Sequence, residues 1–596
     1  MTVPRVLTGK GPPEKQCIKG RGVERKQPMH RSERADARVE AAVGKHGRTP
    51  DTTLPVLQTV QSANHGYLDT PLLGAVADAL RLSDARIYGV ASFYSMLSTR
   101  PRAEKAIRVC DGPECVMHGA ETARIALETA ASKDQWTVAR SSCLGLCDRA
   151  PAALVESEPC GPITNERVSA VLGGWRGDMP SYAEPRAGEV RVLMARIGRI
   201  DPESIGSAIA AGAYQVLGAA LLSDPTAVLE AVEQAGLRGC GGAGFPTGRK
   251  WRMVSEALAT PKYVVCNADE SEPGAFKDRV LMEGDPHLLL EGMALAGYAV
   301  GANSGVIYIR GEYEWVARRL ERAVGQAEEA GWLGENIQAS GFSFQIHVHR
   351  GAGAYICGEE TALLNSLEGH RGEPRLRPPY PTVRGYRGQP TVVNNVETLC
   401  NVPTIVSRGP QWFRSLGTPD SPGTKVFTVI GCINQPGAFE APLGITLRQI
   451  IDQFGGGLRS GSRFKAALTG GAAGNFVPAS MLDTPLDFAS WQQGPMLGSG
   501  AMLILDQSVS IPQLLLCVLH FFEMESCGKC TPCRAGTREV RRLTEQFVAG
   551  HGDQSELAAL KRLARQMNLT SLCGLGQSAA WPIESALRHF EGEFAI

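Results

Sequence analysis

The chain has 596 residues, room for about four domains at roughly 150 residues each. Its 61 Lys and Arg balance 61 Asp and Glu, which argues against a dedicated nucleic-acid binder, and 43% hydrophobic residues exclude a disordered polymer. No apolar run approaches the roughly 18 residues of a membrane span, and no secretory-type leader opens the chain. The 16 cysteines therefore read as metal or cluster ligands of a reducing, cytoplasmic compartment.

Residues 1–50 carry twelve Lys or Arg against five Asp or Glu, a local excess of +7, and show no apolar period. They read as a basic, disordered tail. Residues 51–178 read as helices followed by a small α/β unit. Residues 70–82 place Leu72, Leu73, Val76 and Leu80 on one helical face, with Thr70 as N-cap before Pro71. A second helix is expected over 87–97, a strand over 106–110, a helix over 119–129 and a strand over 152–155. A linker follows over 179–200. From 201 to 423 apolar helices alternate with β-rich runs at 263–266 and 306–310, an α/β pattern. Residues 424–506 hold short strands with glycine clusters, and 507–596 are helical.

Cysteines mark two places. Cys527, Cys530 and Cys533 form C-x2-C-x2-C, and Cys573 stands 40 positions beyond the last of them. Three thiolates on one turn-rich loop and a remote fourth suit a [4Fe–4S] cube; a four-cysteine zinc site is the alternative. Cys110 and Cys115 (C-x4-C) precede Cys143 and Cys147 (C-x3-C), with 27 residues between the pairs. Each pair is expected at a strand end, so neighbouring loops present four thiolates, and the spacing leaves zinc and [2Fe–2S] open. The other eight cysteines show no ligand spacing and read as small buried side chains.

Gly239, Gly241, Gly242 and Gly244 formally satisfy G-x-G-x-x-G, but a helix precedes them where a dinucleotide fingerprint needs a strand. The glycines still let the backbone approach an anion or a flat ring, with Lys250 downstream to meet a phosphate. Asn267, Asp269, Glu270, Ser271 and Glu272 follow the strand at 263–266 and suit a hydroxyl-rich ligand. Glu359 and Glu360 open a helix, and Asn394 and Asn395 lie in a further polar stretch.

GCGGAGFPTGRKW, CNADESEPGAFKDR, GAYICGEETAL, NNVETL and ESCGKCTPCR with SLCGLG resemble, in order, the flavin- and NADH-binding subunit of respiratory complex I and its soluble relatives. The resemblance covers about 200–596, while 50–175 resemble the family's thioredoxin-like [2Fe–2S] subunit, here joined on one chain. It implies a multidomain α/β fold: N-terminal helices with a thioredoxin-like domain, an FMN-binding α/β domain over 201–423, a β-grasp-like domain over 424–506 and a C-terminal helical bundle with an iron–sulfur cluster. It implies that Gly239, Gly241, Gly242, Lys250, Asn267, Asp269, Ser271, Tyr355, Gly358, Glu359, Asn394 and Asn395 hold FMN. Phe245, Glu272, Glu360, Arg377 and Tyr380 would contact NAD, Glu360 near the ribose, where a carboxylate disfavours a 2′-phosphate. Gly244 and Glu270 complete the cofactor set. The clusters are [4Fe–4S] on Cys527, Cys530, Cys533 and Cys573, and [2Fe–2S] on Cys110, Cys115, Cys143 and Cys147.

Cys240 stands where the family often has Arg, and Met253 replaces an aromatic expected near adenine. The fused layout is similar to the diaphorase subunit of NAD-reducing hydrogenases and to the β subunit of NAD-dependent formate dehydrogenases. The short gap between the N-terminal cysteine pairs and the segment GGAAGNFVPASMLDTPLDF favour the latter. The implied chemistry is hydride transfer at FMN with no side chain as acid or base. The implied partner is a molybdenum or tungsten iron–sulfur subunit in a soluble hetero-oligomer. Rivals are the same module in a hydrogenase or a quinone reductase, and a non-enzymatic zinc-binding scaffold.

Overall fold

The computed structural model describes residues 36–490 and 494–594. Most of the expected basic tail, with Cys17, lies outside them. The tail ends earlier than residue 50, because Ala37–His46 (α1) is a helix. Asp36 caps it by accepting from the Arg38 N–H at 2.8 Å. Val39, Ala42 and Val43 are buried at helical spacing, a short stripe hidden among basic residues.

Thr53–Ala63 (α2), Thr70–Leu80 (α3) and Asp84–Ala91 (α4) complete an N-terminal helical layer. The cap of α3 is Asp69 rather than Thr70: its carboxylate accepts from the Leu72 N–H at 2.9 Å, which leaves Thr70 and Pro71 in the first turn. α4 starts at the Ser83 cap and stops short of the expected residue 97. Beyond it, the N–H groups of Ser95 and Met96 donate to the carbonyls of Gly353 and Ala352 at 3.0 and 2.9 Å. Tertiary pairing thus removes that backbone from the helix.

The small α/β unit holds Lys105–Cys110 (β1), Pro113–Met117 (α5), Ala120–Ala130 (α6), Trp136–Ser141 (β2), Ala153–Val155 (β3) and Glu158–Cys160 (β4). The sheet order is β2-β1-β3-β4, with β1 and β2 parallel and the other pairs antiparallel. β2 was not anticipated; it is an edge strand with only partly buried residues, so it lacks an apolar alternation.

After two short helices at Ile205–Ala210 and Gln215–Ala220, the central region continues with Pro225–Ala235 (α7) and Thr247–Ser255 (α8). Tyr263–Ala268 (β5), Lys277–Gly284 (α9), Pro286–Val300 (α10), Ser304–Ile309 (β6), Glu314–Glu329 (α11), Gln345–Arg350 (β7), Glu360–Leu367 (α12), Thr391–Asn395 (β8) and Val396–Arg408 (α13) follow. All four strands are parallel, in the order β7-β6-β5-β8. The near-continuous apolar sequence of β5 and the almost wholly buried α10 are what a parallel sheet covered by helices requires.

A third sheet of five strands, in the order β10-β9-β13-β11-β12, uses Thr424–Gly431 (β9), Gly437–Pro442 (β10), Phe464–Thr469 (β11), Asn475–Pro478 (β12) and Ala501–Asp506 (β13). Ile511–Glu525 (α14), Thr531–Val548 (α15), Gln554–Thr570 (α16), Gly574–Ser578 (α17) and Ala580–Phe590 (α18) finish the described chain. No helix among the described residues is long and apolar enough to cross a membrane. The architecture is the multidomain α/β class expected above.

Candidate functional site

The carboxyl ends of β5 and β8 are where parallel α/β sheets place ligands, and the segments that follow them frame the candidate cleft. Asn267 and Asn395 are register partners at those ends. The glycine-rich loop enters from α7, and its backbone closes on itself: the Gly239 N–H donates to the Phe245 carbonyl at 2.9 Å and the Gly244 N–H to the Gly239 carbonyl at 3.2 Å. Gly242 and Gly244 adopt φ of +122° and +63°. A Cβ at Gly241 would stand 3.2 Å from Cβ of Asn395, and one at Gly244 2.6 Å from the Phe488 ring. The loop therefore forms a surface that only glycine lets pack this closely. Lys250, in the first turn of α8, points its Nζ at the Val393 carbonyl (3.0 Å) and at Glu360 (3.2 Å). Phe245, Met253 and Tyr380 stay exposed on the rim.

The acidic loop after β5 divides its carboxylates between fold and cleft. Asn267 donates Nδ2 to the Gly358 carbonyl at 2.8 Å and accepts from the Asp269 N–H at 3.1 Å, tying the loop to the segment Tyr355–Gly358. Asp269 is buried, receives the Ser271 hydroxyl on Oδ1, and leaves Oδ2 without a hydrogen-bond partner. Burial pushes its carboxyl far above the usual range. Glu270 is committed to the fold: its two oxygens accept from the N–H groups of Asp278 (2.9 Å) and Arg279 (3.0 Å) at the start of α9. Glu272 accepts from the Tyr355 hydroxyl at 2.6 Å and the Ala473 N–H at 2.9 Å, and burial lifts it to about 7.

Glu359 caps α12 through the N–H groups of Thr361 and Ala362, which places Glu360 one residue inside the helix. There Glu360 faces Lys250 and, at 3.5 Å, Arg377. Asn394 and Asn395 also position their surroundings: Asn394 accepts from the Trp251 indole N–H at 2.8 Å, and Asn395 caps α13 while donating to Asp278 at 2.6 Å. An unpartnered buried acceptor, a glycine-lined wall and a nearby Lys fit a phosphate-bearing, hydroxyl-rich ring ligand such as FMN.

Sequence reasoning missed a buried ion network behind the glycine loop. Lys277 Nζ lies 2.6 Å from Asp278 and 3.0 Å from Glu397; Lys425, reaching over from β9, lies 2.6 Å from Glu397 and 3.3 Å from the Cys240 carbonyl. Charges inside otherwise buried segments were the only available signal. Cys240 itself is buried, which pushes its thiol up to about 12, and its N–H donates to Thr398 at 2.9 Å.

The N-terminal cysteines converge. Cys110 ends β1, Cys115 lies in α5, and Cys143 and Cys147 follow β2; all four are buried. The sulfurs of Cys143 and Cys147 are 3.8 Å apart, and the N–H groups of Gly112 and Gly145 point at the sulfurs of Cys110 and Cys143. Donation from the Cys110 and Cys147 thiols holds Cys143 well below the ordinary thiol range, with Arg310 adding to the effect.

The C-terminal cysteines line one cavity together with Ile356, Pro374, Leu572 and Leu575. Cys530 and Cys533 begin α15, and Cys573 precedes α17. Burial raises Cys533 to about 11 and Cys573 to about 12, as an apolar pocket does to thiols before a metal takes their protons. Both constellations fit thiolate ligation of iron–sulfur clusters. Tyr355 reaches the acidic loop and its neighbour Ile356 lines the cysteine cavity, so one short segment separates cleft from cavity.

Four family profiles match. Residues 39–176 match a thioredoxin-like [2Fe–2S] ferredoxin, 232–404 the Nuo51 FMN-binding domain, 426–474 the SLBB domain and 513–596 the NADH-ubiquinone oxidoreductase-F iron–sulfur binding region. The F 2 subunit of NADH-quinone oxidoreductase from Rhizobium meliloti is 46% identical over 405 residues, 68% of this chain and 96% of that protein. The HndC subunit of the NADP-reducing hydrogenase from Solidesulfovibrio fructosivorans is 45% identical over 407 residues, 68% of this chain and 83% of that protein. A crystal structure of NAD+-reducing [NiFe]-hydrogenase in the H2-reduced state has a chain 34% identical, with a TM-score of 0.81, covering 92% of this chain and 93% of its own.

Proposed function

The chain belongs to the flavoprotein family of NADH-quinone oxidoreductase F subunits, and from that premise we propose that it is the NAD(H)-binding subunit of a cytoplasmic, NAD-dependent formate dehydrogenase. It is an NAD-dependent oxidoreductase with FMN, [4Fe–4S] and [2Fe–2S] regions. FMN, when bound, supplies hydride exchange with the nicotinamide and single-electron exchange with an iron–sulfur centre. The chain's own residues bind and orient. Gly239, Gly241, Gly242 and Gly244 would form the wall of the FMN site, Lys250 would meet the phosphate, and Asp269 would offer its free oxygen to a hydroxyl. Phe245, Glu272, Arg377 and Tyr380 would contact the dinucleotide, the aromatic rings by stacking, with Glu360 near its ribose. Cys527, Cys530, Cys533 and Cys573 would hold the [4Fe–4S] cluster, which would supply single-electron exchange with the partner, a molybdenum or tungsten iron–sulfur subunit. The observation that carries the reading is the segment Tyr355–Gly358, one side of which touches the cleft loop and the other the cysteine cavity.

Two sequence features support formate as the donor: the 27-residue gap between the N-terminal cysteine pairs and the segment following Gly470. A second reading, the diaphorase subunit of an NAD-reducing hydrogenase, is favoured by the likeness along 92% of the chain to a hydrogenase structure. Isolation of the native complex with metal analysis and assays of formate- and hydrogen-dependent NAD+ reduction separates them. Molybdenum or tungsten with formate activity supports the first reading; nickel with hydrogen activity supports the second. Zinc without iron, and no NADH-dependent dye reduction by the purified chain, would overturn both.

A further inference from the structure

One buried cation joins the N-terminal cysteine loop to the flavin cleft. Arg310 follows β6 directly and is 2% exposed. Its Nη2 donates to the Cys143 carbonyl at 2.5 Å, its Nη1 to the Glu270 carbonyl at 2.6 Å, and its Nε to the Glu312 carboxylate at 3.2 Å. The guanidinium stacks over the Tyr313 ring, 5.0 Å from its centroid. Tyr313 in turn fills the space left by the missing side chain of Gly145, where a Cβ would meet its hydroxyl at 1.9 Å. The C-x3-C loop and the acidic loop of the cleft are therefore held by opposite arms of one planar fork.

We propose that Arg310 is a positioning residue that sets the reduction potential of the N-terminal centre and fixes that centre against the flavin cleft. This rests on the reading that Cys110, Cys115, Cys143 and Cys147 hold a [2Fe–2S] cluster. Reduction by one electron, which NADH oxidation at FMN would supply under the proposed function, adds one negative charge to a buried site. A positive charge held close in a low-dielectric interior favours the reduced form and raises the potential. Glu312, 5% exposed and paired with the same guanidinium, offsets part of that charge. Arg310 is always protonated, so its contribution is fixed rather than pH-gated.

The test is an EPR-monitored redox titration of the full-length holoprotein as wild type, Arg310→Met, Arg310→Lys and Glu312→Gln, with flavin content measured alongside. Arg310→Met is expected to shift the [2Fe–2S] potential downward and leave the [4Fe–4S] potential in place. Arg310→Lys, which keeps charge but loses the fork, is expected to shift it less, and Glu312→Gln to shift it upward. A wild type without a [2Fe–2S] signal overturns the ligand assignment and the proposal with it. A signal present in every variant with unmoved potential, or one that moves together with that of the [4Fe–4S] centre, overturns the role of Arg310 alone. Should Arg310→Met not fold, Glu312→Gln decides: an unshifted potential overturns the proposal.

Discussion

Cys110, Cys115, Cys143 and Cys147 are all buried where the small α/β unit meets the central sheet, whereas Cys527 and Cys530 are partly exposed on the rim of a cavity between helix ends. The enclosed set is surrounded by fixed charge and by N–H groups aimed at sulfur. The rim set is walled mostly by Ile356, Pro374, Leu572 and Leu575, with Ser526 and Lys529 as the polar part of the lining. Two sets of four cysteines thus sit in two physical situations. The enclosed set has its electrostatics dictated by this chain, while the second set keeps Cys527 and Cys530 partly exposed. Under the proposed function, electron exit to a partner would belong at this second set, because tunnelling contact with another protein needs ligands near the surface.

The largest effect expected from breaking this contrast is at the rim. Cys573→Ala should abolish the [4Fe–4S] signal and electron delivery to the partner, yet leave the [2Fe–2S] signal and NADH-dependent dye reduction; iron counting and EPR on the purified variant check this. Loss of both cluster signals would show that the two centres fold as one unit. The next effect targets the enclosure. Asp148, beside Cys147, accepts from Arg279 at 2.6 Å and from the Tyr182 hydroxyl at 2.7 Å, with Asp148 and Arg279 side chains 2% and 0% exposed. Asp148→Ala leaves that buried guanidinium with only Glu283, 3.3 Å away, as its ion-pair partner, at a cost of about 1–3 kcal/mol. A lowered first unfolding transition with an intact [4Fe–4S] signal is expected from thermal melts.

A matched glycine pair sharpens the comparison further. Gly145 in the enclosed loop and Gly528 in the rim loop adopt φ of +65° and +78°. A Cβ on Gly145 collides with the Tyr313 hydroxyl at 1.9 Å, whereas one on Gly528 finds only Arg534 at 3.9 Å. Gly528→Ala should cost about 1 kcal/mol of backbone strain, and Gly145→Ala should add about 1–3 kcal/mol for overpacking. Equal losses of chemical stability in the two variants would show that the enclosed loop is not tightly packed.

The cysteine sets were legible in the sequence because ligation needs a fixed residue type at a fixed spacing, and the glycine loop because close backbone approach needs glycine. The parallel sheet was legible in the apolar runs at Tyr263 and Val306. What escaped was held by tertiary contact. Edge strand β2 has no alternation to detect, and α1 shows only three buried residues among charges. The ladder from Ser95 and Met96 to Gly353 and Ala352 ends a helix with no local signal. Arg310, Lys277 and Lys425 look like surface charges in sequence, and only the fold buries them. Glu270 belongs to the same lesson: its motif placed it with the ligand residues, and the helix start at Lys277 claims both its oxygens.

The smallest expected effect concerns Glu272, which is bonded to Tyr355 and the Ala473 N–H. Its carboxylate takes the hydroxyl of Tyr355, the neighbour of Ile356 on the rim cavity, and negative charge at Cys143 on the enclosed side adds to the burial that lifts it from 4.5 to about 7. Because the folded value lies above the unfolded one, the native state holds this proton more tightly. The stabilisation is fully present below about pH 4.5 and is lost as pH rises through about 7. Glu272→Gln, which stays neutral, should therefore flatten the fall of Tm across that window while leaving both cluster signals unchanged. A Gln variant whose Tm falls with pH as steeply as the wild type would move the titrating group elsewhere, to Glu270 or Glu440, both also lifted to about 7 by burial. Glu440 accepts from the N–H groups of Val192, Leu193 and Met194, far from either cysteine set in sequence, so its own Gln substitution distinguishes a pH response of the centres from one of the third sheet.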